Sequence, residues 1–271
     1  MVSIIAEWWL RLLLGLAGSV LISYAAYRHR SLSLSGALSA VVMGMGFIVL
    51  GTPLWFTLLI VFFVSSSFLS KWKRSSHSKQ EAEQQYEKSG RRDAGQVWAN
   101  GGIGLLLCVA YALFPHKALI YGYIGVMAAV TADTWATEIG ALSKRMPRSI
   151  LTLKQVKAGT SGGITALGLA ASLAGGLLIG LVAYLLDGSL LHGVWIGAAA
   201  GLLGSIVDSL IGAKWQAMYR CQICGKETER QQHCQQRTLP LRGAAWLNND
   251  KVNLLSSIIA GGAAWLLSAA L

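Results

Sequence analysis

Apolar runs of roughly 20 residues, long enough to cross a bilayer as helices, recur eight times in this chain. They fall at about 8–27, 33–51, 54–70, 97–114, 118–140, 162–186, 192–213 and 253–270. Charged residues make up 13% of the 271 and hydrophobic ones 54%, whereas a soluble domain is about 25% charged. Every backbone donor in lipid must be satisfied within its own segment, which leaves a helical bundle. The expected fold is therefore all-α, a polytopic membrane bundle of about eight helices forming one membrane domain over 1–271. The first run does not read as a signal peptide, since Glu7 stands where lysines would and no small-residue cleavage site precedes Arg28.

The net charge of +11 is unevenly spread. With the N-terminus outside, segments 28–30, 71–93, 144–157 and 214–251 share one face and hold 21 of the 23 Lys and Arg residues. That bias makes the face cytoplasmic and puts both termini outside. The loops 71–96, 143–160 and 214–250 are then cytosolic. Their basic character suits orientation and anionic lipid; no nucleic-acid motif accompanies it. Trp8, Trp9, Trp55 and Trp195 mark one interface, and Trp72, Trp98, Trp215 and Trp246 the other.

Ionisable groups inside spans are costly and point to function. Asp133 and Glu138 lie in the fifth run and Asp208 in the seventh. Five residues at about 3.6 per turn put Asp133 and Glu138 on different sides of one helix, so a shared metal needs a ligand from elsewhere. Asp208 is the candidate: it lies on a narrow face of small residues with Gly201, Gly204, Ser205 and Gly212. Mg²⁺ usually takes one or two carboxylates plus substrate phosphates.

Two glycine-rich stretches precede spans. Gly90-Arg91-Arg92-Asp93-Ala94-Gly95-Gln96 leads to Asn100-Gly101-Gly102, and Lys154 and Lys157 lead to Gly159-Thr160-Ser161-Gly162-Gly163. Glycines at a helix start leave N–H groups open, and the helix dipole favours an anion there; packing glycines and a flexible cap are the plainer explanation. Each stretch is followed by a span and then by an acid, Asp133 or Asp208, a weak parallel hairpin repeat. Segment 79–88 reads as an exposed polar helix or linker. Asn249, Asp250 and Asn253 open the last run. In the loop after Trp215, Cys221-x-x-Cys224 offers half a tetrahedral zinc site and His233-Cys234 could complete it. Adjacent ligands on one metal would be strained, which leaves the fourth ligand open.

The stretch Asp133-Thr134-Trp135-Ala136-Thr137-Glu138-Ile139-Gly140, the Gly159–Gly163 turn and Asn249-Asp250-x-x-Asn253 resemble motifs of an integral membrane family that includes the plant phytyl-phosphate kinase. Gln96-Val97-x-Ala99-Asn100-Gly101 and Asp208-Ser209-x-x-Gly212-Ala213 belong to the same pattern. The resemblance implies a kinase that uses CTP to convert a prenyl monophosphate to its diphosphate with Mg²⁺. It would put Asp133, Glu138 and Asp208 on the metal, with Asp250 as a fourth ligand. Phosphates and nucleotide would fall to Arg91, Arg92, Gln96, Asn100, Gly101, Lys154, Lys157, Gly159, Thr160, Ser161, Gly162, Gly163, Asn249, Asp250 and Asn253. The cysteine loop departs from the plant enzyme and leaves the lipid open. A transporter or flippase for a lipid phosphate or cation is the alternative, with the acids carrying coupling ions. A scaffold that binds partners through the cysteine loop is a third reading.

Overall fold

A computed structural model describes residues 2–270 apart from 74 and 89, with side chains from Trp8 onward, so Glu7 lies outside the described side chains. Each apolar run forms a helix: α1 Val2–Arg28, α2 Leu34–Leu50, α3 Pro53–Lys71, α5 Ala94–Leu113, α6 Lys117–Gly140, α7 Ala166–Leu186, α8 His192–Lys214 and α9 Asn249–Ser268. A short helix α4, His77–Glu83, lies between α3 and α5. The chain belongs to the bilayer by length and composition: α1, α3, α5, α7, α8 and α9 are each long and apolar enough to cross it. α2 is apolar but has only 17 residues. α6 falls outside that set because tyrosines, threonines and two acids dilute its apolar character.

α6 is the hub. It is buried without a break from Tyr121 to Ala132 and packs against α3, α5, α7, α8 and α9. A helix covered on every side belongs in the interior of a bundle rather than against lipid. Its neighbours come close because the facing residues are small. A Cβ on Gly204 of α8 would lie 2.4 Å from Ala129 Cβ, and one on Gly125 would lie 2.4 Å from Ala264 Cβ of α9. Between α7 and α8 the approach is backbone to backbone: a Cβ on Gly176 would lie 2.4 Å from Gly197 O. Ser172 Oγ also donates to Ser205 Oγ at 2.9 Å across that interface, one turn before Asp208.

The fold is mainly helical, but the connecting segments add short strands. β1 (Arg148–Ser149) pairs with β2 (Gly163–Ile164). After α8 comes a small cap: β3 (Met218–Arg220) lies between β4 (Glu227–Thr228) and β7 (Leu239–Arg242), and β5 (Gln232–His233) pairs with β6 (Gln236–Arg237).

Four helix starts differ clearly from the sequence reading. α1 begins at Val2, not 8, and α9 at Asn249, not 253; caps account for the other two. α5 begins at Ala94, not 97, because Asp93 caps it: its side chain accepts from Gln96 N–H while Gln96 Oε1 accepts from Asp93 N–H. Asn100-Gly101-Gly102 therefore lies inside the helix. Gly101 packs against α2, where a Cβ would clash with Met43 Sδ. α7 begins at Ala166, not 162, because Thr165 Oγ1 accepts from Gly168 N–H; Gly162 and Gly163 belong to a turn and a strand. Among the glycines, Gly180→Ala is expected to destabilise the protein by about 1–3 kcal/mol, since its Cβ would meet Gly193 O at 2.2 Å. Gly262→Ala, with nothing within 4 Å, should be neutral or stabilising by up to about 1 kcal/mol. Thermal unfolding of the detergent-solubilised variants checks the contrast.

Candidate functional site

At the end of the bundle where α6 and α8 finish lies a cavity of about 410 Å³. Asp133 and Glu138 of α6, Asp208 of α8, and Asn249, Asp250 and Asn253 of α9 line it. So do Arg92, Gln96, Asn100 and the turn Gly159, Thr160, Ser161, Gly162 and Gly163. The glycine turn reaches it by threading between other elements. Gly159 and Gly162 have φ of +82° and +81°, and their Cβ positions would strike the Ala82 backbone and Ala213. Only glycine combines that conformation with that closeness. Arg242 of β7 holds the turn by donating to Ser161 O, Gly212 O and Ala213 O, which also satisfies the last carbonyls of α8. Ser161 Oγ donates to Gln216 Oε1 at 2.8 Å.

The acids have different surroundings. Both oxygens of Glu138 are engaged: Ser70 Oγ donates to Oε1 at 2.6 Å and Lys79 Nζ to Oε2 at 2.7 Å. Lys79 is 2% exposed, so segment 79–88 is not the open linker its polarity suggested. The ammonium also donates to Leu69 O and Trp72 O at the end of α3, where a helix favours a cation. Glu138 thus fastens α4 and α3 to α6. Asp250 is likewise paired: Lys88 bridges it to Asp93. Burial works against the Lys88 charge, but hydrogen bonds and charge from Asp250 and Asp93 outweigh it and raise its pKa.

Asp133 and Asp208 are less committed. Among the described residues Asp133 makes no hydrogen bond or ion pair, and Asp208 accepts from Ser256 Oγ alone, at 3.2 Å. Asn253, one turn before Ser256 on α9, has its Oδ1 buried without a hydrogen-bond partner among the described residues. Carboxylates and an amide oxygen are the hard donors that Mg²⁺ takes, and an orphaned buried oxygen is costly unless something occupies it. Asp133, Asp208 and Asn253 are therefore of the donor type that suits a divalent cation; Glu138 and Asp250, with their lysines, suit it less well. Asp133, Glu138 and Asp208 do not by themselves form a cluster at ligand spacing among the described residues.

The cations also sort by position. Lys154 and Lys157 are exposed and do not line the cavity, and Arg91 turns outward over the Tyr27 ring at 5.9 Å. In their place Lys144 and Arg145 stand at the mouth, exposed and without an ion pair among the described residues. Arg92 lies deeper. Its guanidinium donates to Ser67 Oγ at 3.2 Å and stacks on Phe62 and Phe63. Burial pushes its pKa down to about 10, which leaves it charged at neutral pH. Its backbone is pinned, with Arg92 N–H donating to Ser31 O and Arg92 O accepting from Ser33 N–H.

A second, apolar groove runs between α1, α2, α3 and α5, lined by residues such as Ser23, Met43, Phe56, Leu59 and Phe63. It shares Arg92, Gln96 and Asn100 with the polar cavity. A charged compartment and an apolar one thus meet at the half-buried guanidinium of Arg92.

Sequence reasoning missed Lys79, Lys88 and Glu229 in the cavity wall. The spacing Asp93-x-x-Gln96 was an available signal for the true start of α5; nothing local announces Glu229, which arrives from the distant cap.

The structure and its site define a polytopic membrane helical bundle with a polar chamber at one end, walled by acids from separate helices. The chain belongs to the integral membrane protein DUF92 family, whose pattern it matches over residues 17–261. It is 33% identical to Protein PGR of Arabidopsis thaliana over 92% of this chain and 93% of that protein. It is 32% identical to an uncharacterized membrane protein of Methanocaldococcus jannaschii, over 86% of this chain and 84% of the other. A further one, from Synechocystis, is 27% identical over 62% and 68%. No solved structure matches the chain.

Glu229 makes the cavity wall sensitive to pH. Burial raises its carboxyl from 4.5 to about 7. The folded protein then keeps a proton that the unfolded chain loses, so this group's stabilising contribution is present at low pH and is lost as pH rises from 4.5 through about 7. Glu229→Gln is expected to flatten that dependence. Between about pH 5 and pH 8 the wild type should lose up to about 3 kcal/mol relative to the variant, measured by thermal unfolding at both pH values.

Proposed function

We propose that the protein is a lipid-phosphate kinase, transferring a phosphoryl group from a nucleoside triphosphate, CTP by resemblance, to a prenyl monophosphate. The observation that carries this reading is the union of the two compartments at Arg92, Gln96 and Asn100. A substrate with an anionic head and a hydrocarbon tail fits that union; a wholly polar solute would leave the groove unused. The basic loops around the chamber favour its opening to the cytoplasm, where nucleotide is present.

In the reaction, an oxygen of the acceptor phosphate bonds to the γ-phosphorus as the bond to the β–γ bridging oxygen breaks. The lipid leaves as a diphosphate and the nucleotide as a nucleoside diphosphate. The acceptor oxygen is already anionic, so no general base is needed and catalysis rests on positioning and charge. Arg92 holds the acceptor phosphate at the junction, and its hydrogen bond to Ser67 and its Phe62 and Phe63 contacts fix its aim. Lys144 and Arg145 draw in the triphosphate, and the Gly159–Gly163 backbone lines its seat. Asp133, Asp208 and Asn253 would hold Mg²⁺, which when bound neutralises charge on the transferring phosphoryl group. Lys79 keeps Glu138 in place rather than contacting substrate.

The test is purified protein with CTP, Mg²⁺ and prenyl monophosphates of several chain lengths, following the lipid diphosphate. Asp133→Asn and Asp208→Asn are each expected to lower turnover by about 10²-fold or more while leaving the melting temperature close to wild type. Arg92→Ala should raise the KM for the lipid phosphate more than that for the nucleotide. No diphosphate with any nucleoside triphosphate or lipid would overturn the reading; uptake of a lipid phosphate or cation into proteoliposomes would then favour a transporter.

A further inference from the structure

We infer that Cys221, Cys224, His233 and Cys234 bind one zinc ion, and that this ion clamps the β3–β7 cap onto the chain segment that forms the cavity wall. The inference does not depend on the reaction proposed above. One ligand atom from each of the four residues lies within 4.8 Å of the others. His233 Nδ1 is 3.5 Å from Cys224 Sγ and 3.2 Å from Cys234 Sγ. Tetrahedral zinc with ordinary Zn–S and Zn–N bonds separates sulfur from nitrogen by about 3.5 Å. Three thiolates and an imidazole, with no oxygen donor, select zinc over Mg²⁺ or Ca²⁺.

The backbone explains how neighbouring residues can share one ion. Cys234 and Gln235 form the two-residue turn between β5 and β6, and both have positive φ, 50° and 61°. Such hairpin turns normally take Asn-Gly. A cysteine held in that conformation turns its sulfur back beside His233, so the strain expected of adjacent ligands is carried by the turn. The other pair is prepared in the same way: Gly225, at φ 67°, closes the loop in which Gly225 N–H donates to Cys221 O and Cys221 N–H to Lys226 O. Most of the cap is exposed, and a small segment with so little core needs a staple.

The residues between the two ligand pairs make the clamp. Glu229 N–H and Thr228 Oγ1 both donate to Gln85 O, at 2.8 and 3.1 Å. Arg230 Nε donates to Tyr86 O at 2.8 Å, and Glu229 Oε2 accepts from Glu87 N–H at 3.1 Å. Tyr86 and Glu87 line the cavity, and the next residue, Lys88, bridges Asp93 and Asp250. An ion held by residues on both sides of Thr228–Arg230 therefore fixes one wall of the chamber by holding the two ends of a short hydrogen-bonded strap.

The test uses the full chain, purified without chelator from zinc-replete cells. Elemental analysis should give about one zinc per chain, lost in Cys221→Ser/Cys224→Ser and retained in Cys108→Ser. Hydrogen exchange should then speed up by tenfold or more at the amides of 85–87 in the zinc-free protein, with those of α6 and α8 unchanged. If the double variant does not accumulate, wild type stripped with a zinc chelator and restored with zinc chloride gives the same comparison. Zinc below about a tenth of stoichiometric, or a Cys221–Cys224 disulfide by mass, overturns the site. Zinc that leaves without altering exchange at 85–87 overturns the clamp.

Discussion

The structure depends on how closely α6, α7, α8 and α9 approach one another. Lipid tails are as apolar as leucine, so spans gain little by burying large side chains against each other; tight packing and internal hydrogen bonds hold them together. Gly125, Gly176, Gly197 and Gly204 bring the helices close enough for backbone atoms to touch. That closeness encloses α6 on all sides and lets it keep Asp133 where lipid would otherwise lie. The small-residue face of α8 does the same for Asp208.

Around this rigid core the polar groups divide the labour. Glu138 and Asp250 are neutralised by lysines that arrive from the 79–88 segment and join parts of the wall. Asp133, Asp208 and Asn253 keep free oxygens towards the chamber. Groups that hold the wall and groups left open to a ligand are thus different residues, although sequence alone presents them as one acidic cluster.

Much of this was legible in the sequence. Apolar runs located every long helix, with starts off by as much as six residues at α1 and four at α7 and α9, because burial in lipid and helix length are set by composition over many positions. The spacing of Gly201, Gly204, Ser205 and Asp208 was enough to put one acid on a packed face. Local capping was misread: the pairs Gly101-Gly102 and Gly162-Gly163 resembled helix starts, while the actual caps were Asp93 and Thr165. The roles of Lys79, Arg92 and Glu229 were hidden because they rest on tertiary partners. Arg91 and Arg92 adjoin in sequence, yet one faces outward over Tyr27 and the other is half-buried at the junction of two compartments. The positive φ of Cys234 left no local signature, so placing His233 and Cys234 side by side on one metal looked strained.

The all-round enclosure of α6 bears on how the protein is made. α6 emerges before α7, α8 and α9, which cover most of its surface. Until the last of them is inserted, Asp133 lacks its shield, and a carboxylate near lipid is costly. The enclosure of Asp133 is therefore complete only when α9, the last span in the chain, is in place.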